Sequence, residues 1–489
     1  MLETIEEYIK KESKKLMQRH HDYHNFLDKN FIRISKRLIK YRKKELKTPS
    51  LWEKDKKFNP FYVYSNRKAI AKSIVKKITA GEYKPNKPEI ININKKSGGK
   101  RGVTVYQIPD AAVSNYYYKR LLNKNKHRFS SFAYGYREDK NVHYAVQDIG
   151  LELKSNDRIF IAEFDFSNFF DGINHKFLLE EMNKNGFLIS DEEKKIINVF
   201  LENSNGKGIP QGTSISLFLA NLVCWSFDKK LEEEGLRFAR YADDTVIWSK
   251  DYNKILKSYN IISEFANLSG IEINHKKSEG ITLLTPPTLA SEFYKTKSHI
   301  NFLGYKISNK NISIKDECIL KIKKRISSLL YQNLIFPIKD GENNKREGND
   351  SKDYIIAMLQ IRSYLYGGLT EEKVCNYLNG RFKRPIFKGI MSFYLLVDDE
   401  KQLEELDKWL CRTIVNILKL RKQKFAAFNK NLTDFPYNLN YKNIVKKSYS
   451  KDPLFIVPSF VKMNKVIRKG IIEDGIASVM NFKVNEYNY

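Results

Sequence analysis

The pattern of hydrophobic and polar positions predicts a chain in which helices are mixed with short strands. Isoleucines recur at helical spacing in 66–78, and an apolar stripe of the same period runs through 318–331. Residues 1–58 also have a helical pattern, with apolar positions set among dense Lys and Arg. Runs rich in β-branched and aromatic residues, such as 158–166, predict strands between the helices. The pattern therefore predicts a chain that contains both helices and strands.

Two adjacent aspartates interrupt a predicted β-hairpin at 237–249, R-F-A-R-Y-A-D-D-T-V-I-W-S. Strand-forming residues flank the pair, and Ala242 with Asp243 and Asp244 suits a tight turn. Neighbouring carboxylates repel each other, so keeping both ionised is costly unless cations or basic groups compensate. Aspartate is also a common turn residue, and a solvated turn is the ordinary alternative. The pair therefore needs support from the rest of the chain before it indicates a site.

A further carboxylate follows a predicted buried strand. The stretch R-I-F-I-A-E-F-D-F, residues 158–166, is an apolar strand that delivers Asp165 at its end. An acidic group at the end of a buried strand suits a cleft better than a core. The next stretch, S-N-F-F-D-G-I-N-H, places Phe169 and Phe170 in the turn beyond it.

A basic hairpin and two loops offer candidate contacts to nucleotides. Strands are predicted at 89–94 and 103–108, joined by the turn K-K-S-G-G-K-R-G. Lys100 and Arg101 are the expected phosphate-facing groups of this turn, with Lys95 or Lys96 as alternatives.

The first loop carries Arg137 next to Tyr136, a fork-shaped cation beside a flat ring, which suits a nucleotide or template contact. A turn that leads into an amphipathic helix is the alternative. The second loop is the Pro-Gln-Gly turn, where Gln211 offers a side-chain amide and Gly212 offers closely approachable backbone beneath a base pair.

The composition favours a nucleic-acid partner. The chain has 489 residues, enough for two to four domains, and 87 Lys+Arg against 57 Asp+Glu give a formal net charge of +30. A charge of this size favours a polyanionic partner, although biased lysine usage is an alternative explanation. The basic N-terminal segment is either an arm that grips an RNA backbone or an ordinary solvated helical face.

Other features argue against several protein classes. The four cysteines form no C-x-x-C pair, which argues against a zinc ribbon and a disulfide framework and fits a reducing cytoplasm. The histidine cluster 20–24 reads as a polar helix face and not as a metal site. The acidic N-terminus lacks an apolar core, and no apolar run is long enough to span a bilayer. A cytoplasmic location without a membrane partner is therefore expected.

In their order and spacing, these motifs resemble those of a reverse transcriptase of the bacterial retron and group II intron-like superfamily, over about residues 65–420. Asp165, with Phe169, Phe170, Asp171, Ile173 and His175, resembles the first palm motif. Residues 210–214 resemble the second palm motif, and Tyr241 to Asp244 resemble the third. Residues 270–278, with Lys277, resemble the next palm motif, and residues 302–305 resemble the primer grip. Residues 131–146 resemble the fingers segment, and residues 387–394, with L-D-K-W-L around Asp407, resemble the thumb.

The resemblance implies a right-hand polymerase of the α+β class, with fingers, palm and thumb and an extension at each end. The domains expected on this basis are a basic helical N-terminal extension at 1–60, fingers at 61–160, a palm with fingers elements at 161–312, a helical thumb at 313–424 and a C-terminal extension at 425–489.

It also implies an RNA-directed DNA polymerase with two Mg²⁺ ions, held by the catalytic residues Asp165, Asp243 and Asp244, the last being the more variable ligand. Phosphoryl transfer to a polynucleotide end needs oxygen ligands for such ions, which agrees with carboxylates at strand ends. The expected nucleotide-binding residues are Lys100, Arg101, Arg137, Phe166, Phe170, Gln211, Gly212 and Lys277. The expected primer grip is Phe302, Leu303, Gly304 and Tyr305.

Two of these residues have specific expected roles. Phe170 stands where the family places a steric gate against the ribose 2′-hydroxyl, with core packing as the alternative that fits Phe169 better. Lys277 resembles the family's candidate proton donor to pyrophosphate, with a solvated loop lysine as the alternative.

The expected partners are a noncoding RNA template, a DNA product and deoxynucleoside triphosphates (dNTPs), and a homo-oligomeric state is left open. Among subfamilies, the chain most resembles defence-associated reverse transcriptases that act against phage; a retron enzyme and an intron maturase are alternatives. Template-independent or repeat-synthesising nucleotidyl transfer, RNA synthesis and a non-enzymatic RNA scaffold are more distant ones. The hydroxyl that primes synthesis belongs to RNA, to DNA or to one of two tail tyrosines, Tyr487 and Tyr489. The alternative to a priming role for these tyrosines is a mobile or packed tail.

Overall fold

The structure is a computed structural model, and it describes residues 1–38, 41–94, 98–202, 206–289, 291–339, 351–383, 385–427, 432–448 and 456–480. The chain divides into two compact units. The first comprises Met1–Leu27, Glu45–Asp148 and Asp157–Lys297. The second comprises Asp28–Lys44, Ile149–Asn156 and Ser298–Tyr489.

Helices account for most of the regular structure in the described residues. The α-helices are α1 (Leu2–Ser35), α2 (Leu51–Lys54), α3 (Pro60–Ser65), α4 (Arg67–Thr79), α5 (Ile108–Asn125), α6 (Val142–Lys154), α7 (Phe169–Gly172), α8 (His175–Lys184), α9 (Asp191–Leu201), α10 (Ile215–Val223), α11 (Trp225–Glu233), α12 (Tyr252–Ser269), α13 (Asp316–Leu330), α14 (Ser351–Tyr366), α15 (Glu371–Leu378), α16 (Glu400–Ala426), α17 (Tyr441–Ser448), α18 (Phe460–Asp474) and α19 (Ile476–Val479). Short 3-10 helices cover Lys56–Phe58, Phe336–Ile338 and Ile390–Ser392, and a π-helical turn covers Tyr331–Ile335. None of the helices in the described ranges is long and apolar enough to cross a membrane.

The strands are short. They are β1 (Glu89–Asn94), β2 (Lys100–Val105), β3 (Ile159–Phe164), β4 (Phe166–Ser167), β5 (Arg237–Tyr241), β6 (Asp244–Ser249), β7 (Glu272–Ile273), β8 (Gly280–Leu284), β9 (Thr296–Lys297), β10 (Ile300–Phe302), β11 (Tyr305–Ile307) and β12 (Ile312–Ile314).

A five-stranded sheet with the order β5-β6-β3-β8-β9 lies at the centre of the first unit. Its central strand β3 is antiparallel to both neighbours, and Ile159, Ile161 and Ala162 are buried. Helix α12 packs on this sheet and ends at Gly270, whose φ of 75° supplies the left-handed conformation that closes a helix. The predicted strand before Asp165 and the predicted aspartate hairpin are both present.

The basic hairpin corrects one boundary. Its second strand was expected to run from Val103 to Ile108, but β2 begins at Lys100 and ends at Val105. Ile108 instead begins α5, with Pro109 in the first turn, where the missing N–H of proline costs no hydrogen bond. Lys100 and Arg101 therefore lie on a paired strand and not in the turn.

The second unit holds the sheet β10-β11-β12 and the helices α13 to α19. Within the C-terminal segment 425–489, α18 is well packed, with Phe460, Met463 and Val466 fully buried. Between the 3-10 helix at Phe336–Ile338 and the start of α14 at Ser351, residues 340–350 lie outside the described residues.

Candidate active site

The strand ends of the central sheet bring the two key carboxylates together. Phe164, the last residue of β3, pairs with Thr245 of β6, and Asp165 follows immediately. In the hairpin, Tyr241 pairs with Asp244, so that Ala242 and Asp243 form a two-residue turn. Ala242 has a φ of 62°, as such a turn requires. The end of β3 therefore lies beside the tip of the β5-β6 hairpin.

The electrostatics of Asp243 reflect this proximity. Burial raises the pKa of Asp243, a backbone hydrogen bond opposes the rise, and the charge of Asp165 raises the pKa further. Arg101 and Lys277 act in the opposite direction. A buried carboxylate beside a second carboxylate creates a place where a cation is stabilising. Asp244, by contrast, is exposed.

The donor set at this place consists of carboxylate oxygens, the ligands that Mg²⁺ prefers. No three His, Cys, Asp or Glu side chains of the described residues are grouped closely enough to form a complete protein-only metal site. Mg²⁺ usually keeps waters and substrate phosphates as further ligands and is held by one or two carboxylates. The pair Asp165 and Asp243 fits that type of site.

The segment after α12 holds Asp165 in place. Asn274 donates a hydrogen bond from Nδ2 to Oδ2 of Asp165 at 3.0 Å, and the backbone N–H of Asp165 donates to Oγ of Ser278 at 3.1 Å. Nζ of Lys277 lies 3.4 Å from the same carboxylate oxygen, on a side chain that is 60% exposed. Lys277 thus lies beside Asp165, and its role stays a prediction. The sequence did not single out Asn274 and Ser278, although their place in the motif 270–278 was the available signal.

The basic hairpin and the Pro-Gln-Gly turn are joined by hydrogen bonds. Nε of Arg101 donates to Oε1 of Gln211, and Nε2 of Gln211 donates to Asp171 at 3.4 Å. The backbone N–H of Thr104 also donates to the carbonyl of Gln211 at 2.7 Å. The structure therefore brings Arg101 and Gln211 together, while Lys100 lies exposed on the same strand.

Gly212 allows the close approach between this turn and β2. Its φ is 115°, and a Cβ at this position would lie 2.4 Å from the carbonyl oxygen of Thr104. We expect Gly212→Ala to lower stability by about 1–3 kcal/mol through backbone strain, plus the clash, and to lower polymerisation. The matched control is Gly280→Ala, which also has a positive φ, 69°, but open space around the Cβ. Equal unfolding midpoints for the two variants would contradict the close-contact explanation.

Aromatic rings lie near the aspartates. The Phe170 ring is 7% exposed and packs edge-on against Phe169 at 5.5 Å and Tyr136 at 6.4 Å between centroids. Burial raises the pKa of Tyr136, and the charge of Asp243 adds to that effect, which indicates that Tyr136 is close to the hairpin tip. Phe166 is buried against Phe169 and Phe265, so its ring belongs to the core.

The gate role of Phe170 leads to a test. Phe170→Val should raise the incorporation of ribonucleotides relative to deoxynucleotides by about tenfold or more, because removing the ring makes room for a 2′-hydroxyl. The control Phe169→Leu changes a neighbouring core ring and should leave the discrimination unchanged. The measurement is the ratio of kcat/KM for a ribonucleotide and its deoxy counterpart. Discrimination as strict as that of the parent would mean that Phe170 is a packing residue.

Other predicted site residues are placed less directly. Arg137 is directed at protein groups: it donates to the carbonyl of Ser130 at 2.7 Å and pairs with Asp139 at 2.7 Å, so its nucleotide contact stays a prediction. Residues 302–305 form the turn between β10 and β11 in the second unit, with a positive φ at Leu303 and Gly304. Roles were also predicted for Lys95, Lys96, Tyr487 and Tyr489, and these four residues lie outside the described residues.

A buried arginine supports the hairpin, and the sequence reasoning missed it. Arg240 of β5 is 1% exposed and forms a two-pronged ion pair with Asp228 of α11, at 2.7 and 2.5 Å. It also donates to the side chain of Asn221 at 3.1 Å and to the carbonyl of Ala242 at 3.2 Å. Burial opposes the charge of Arg240, but the pKa of Arg240 is raised overall, because Asp228 and, to a smaller extent, other neighbouring groups favour the charged form. Arg240 thus fixes the turn that carries Asp243.

Comparison with known proteins agrees with the motif analysis. The family described as reverse transcriptase (RNA-dependent DNA polymerase) matches residues 93–307. Residues 93–307, which include both carboxylates, therefore match a reverse transcriptase domain. The expected α+β class is confirmed by the mixture of helices and sheets, and the family match agrees with the expected right-hand polymerase type and with the expected enzyme class, RNA-directed DNA polymerase.

Individual relatives are more distant. The retron Ec86 reverse transcriptase of Escherichia coli is 26% identical over 48% of this chain and 68% of its own length. The COX1/OXI3 intron 1 protein of Saccharomyces cerevisiae is 22% identical over 74% of this chain and 49% of its own length. The solved structure of Candida tropicalis telomerase with a fragment of telomeric RNA matches with a TM-score of 0.37 at 14% identity, covering 80% of this chain and 68% of that one. The chain spans about half the length of the first curated relatives it matches.

Proposed function

We propose that this chain is an RNA-directed DNA polymerase that copies a noncoding RNA into DNA from dNTPs. The observation that carries the proposal is the placement of Asp165 and Asp243 side by side at strand ends within a reverse transcriptase domain. Carboxylates so placed can hold the divalent ions that phosphoryl transfer to a 3′-hydroxyl requires. On this proposal, residues 61–160 act as fingers, 161–312 as palm and 313–424 as thumb, between extensions at 1–60 and 425–489.

Asp165 and Asp243 would hold two Mg²⁺ ions, with Asp244 as a further ligand. The ions would supply activation of the attacking hydroxyl and neutralisation of the leaving pyrophosphate. Asn274 and Ser278 keep Asp165 oriented, and Arg240 fixes the turn of Asp243. The protein's own contribution is therefore to fix the carboxylates before substrate arrives, which lowers the cost of reorganisation during reaction.

Basic residues near the carboxylates suit the triphosphate. Arg101, on β2, and Lys277, beside Asp165, are both close enough to lower the pKa of Asp243. Their charge would attract the phosphates of an incoming dNTP, with Lys100 adding to it. Lys277 would also donate a proton to the departing pyrophosphate. Gln211 and Gly212 would lie beneath the nascent base pair, and Phe170 would exclude a 2′-hydroxyl.

We further propose a cytoplasmic role in defence against phage, with the noncoding RNA as a dedicated template. A retron enzyme is the second candidate, since the retron Ec86 reverse transcriptase is among the relatives. Purifying the full chain from cells and sequencing its bound RNA and DNA separates the two. DNA complementary to one noncoding RNA supports the proposal, a joined RNA–DNA molecule favours a retron, and a spliced intron favours a maturase. DNA that is unrelated to any bound RNA would contradict templated synthesis.

A further inference from the structure

A cavity of about 480 Å³ in the second unit is lined by positive charge. Lys29, Arg33, Lys36, Arg37 and Lys352 line it, together with two isoleucines. None of the described residues that line the cavity is acidic. We call this feature the basic cavity. All of its residues lie outside the reverse transcriptase domain at 93–307, so the catalytic machinery does not account for it.

Three of the cations follow one another along one helix face. Lys29 and Arg33 are four residues apart in α1, and Lys36 follows in the turn at its end, where its N–H donates to the carbonyl of Ile32 at 3.3 Å. Like charges at this spacing lie on the same face and repel. The negative end of the α1 dipole offsets the repulsion only within the last turn. A bound anion would therefore stabilise this face.

One cation that lines the basic cavity, Arg37, takes part in a shared ion pair. Nε of Arg37 lies 2.6 Å from one oxygen of Asp353, and Nη2 of Arg421 lies 2.7 Å from the other oxygen. Arg37 also donates to the side chain and to the carbonyl of Asn333, at 2.9 and 2.8 Å. Two cations share one carboxylate, so this group of three side chains keeps a net positive charge, and Arg37 is held in a fixed geometry.

The shape and chemistry of the walls indicate the ligand. The volume exceeds that of one phosphate, and the cations stand on α1, on the turn that follows it and on α14, so that they can reach successive phosphates. Ile32, which is 51% exposed, and Ile356 offer an apolar surface for a ribose or base. The described lining has no aromatic ring, amide or carboxylate, the groups that fix a single nucleotide in a dedicated site.

We propose that the basic cavity binds successive phosphates of a single-stranded segment of the RNA partner, as a contact separate from the reverse transcriptase domain. The identification of that RNA as a template rests on the proposed function. The suitability of the cavity for phosphates does not rest on it. Lysine and arginine are suited to this task, as point charges and as forked donors respectively. The cavity would anchor the RNA by its backbone, without reading its sequence.

The test compares two triple variants with the same loss of charge. One removes cavity cations, Lys29→Gln, Arg33→Gln and Lys36→Gln; the control changes the exposed lysines Lys310→Gln, Lys401→Gln and Lys442→Gln. The affinity of each full chain for a mixed-sequence single-stranded RNA is measured at several salt concentrations. For the cavity variant, we expect about tenfold weaker binding or more, and a salt slope smaller by about 2, because each phosphate contact contributes about 0.7. The control should keep the salt slope of the parent protein. The unfolding midpoints of both variants are compared with that of the parent as a check on folding.

Several outcomes would overturn the proposal. The first is an unchanged salt slope in the cavity variant, and the second is an equal loss of RNA affinity in the control. The third is competition by inorganic triphosphate that is as strong as competition by RNA, which would assign the cavity to a free polyphosphate. RNA binding does not require synthesis, so Asp165→Asn should keep the slope of the parent. If the parent protein shows the expected salt slope but synthesises no DNA, only the proposed function is contradicted. If the parent protein synthesises DNA and the cavity variant binds RNA as the parent does, only the proposal about the basic cavity is contradicted.

Discussion

Asp243→Asn should abolish templated DNA synthesis, with kcat falling by about a thousandfold or more. The amide cannot replace the carboxylate as a charged ligand, and the loss of metal-based charge stabilisation costs several kcal/mol, at about 1.4 kcal/mol per tenfold in rate. The measurement is single-turnover extension of a primer on an RNA template. Asp157→Asn is the matched control, because Asp157 is exposed and precedes the same strand, β3, at its other end. That control should stay within about twofold of the parent.

A second readout separates lost chemistry from lost folding. The aspartate pair repels itself without a cation, so Asp243→Asn should fold at least as stably as the parent in the absence of metal. Added Mg²⁺ should raise the unfolding midpoint of the parent more than that of the variant, because binding to the native state stabilises it. Unimpaired synthesis by Asp243→Asn would remove Asp243 from the catalytic site.

Arg240→Ala should be the most destabilising single change near the site. It would leave the carboxylate of Asp228 buried without its partner, which costs about 3–5 kcal/mol of folding stability. It would also remove the hydrogen bond to the carbonyl of Ala242, so the turn that carries Asp243 would lose its support. We expect a large fall in the urea midpoint together with a fall in kcat.

The double variant Arg240→Met and Asp228→Leu tests the positioning role. Replacing a buried ion pair by apolar residues of similar volume is often neutral for stability, so we expect the urea midpoint to recover. The hydrogen bond to Ala242 is not restored, and kcat should stay low while KM changes little. If activity recovered together with stability, Arg240 would serve only to balance the charge of Asp228.

Local patterns predicted the parts of the site that depend on neighbouring residues. The aspartate hairpin follows from strand-forming residues on both sides of a tight turn, and Asp165 follows from an apolar run that ends in an acid. Their meeting was not derivable from either stretch alone, since it depends on the pairing of Phe164 with Thr245. The order and spacing of the motifs supplied that link through the resemblance.

Long-range packing explains what the sequence did not reveal. The pairing of β8 with β3 joins segments more than a hundred residues apart, and nothing local marks 280–284 as its partner. Arg240 reads as an ordinary polar position of a strand until Asp228 lies opposite it in the core. In β2, pairing with β1 extended the strand through basic residues that propensity assigned to a turn.

The most direct test of the central claim is extension of a primer on an RNA of defined sequence by the purified full chain. Each dNTP is supplied singly and then in combination, with and without the RNA, and the product is sequenced. We expect DNA complementary to the RNA, synthesis that depends on Mg²⁺, and no product from Asp165→Asn or Asp243→Asn. Products that ignore the RNA sequence, or full synthesis by either aspartate variant, would contradict the account.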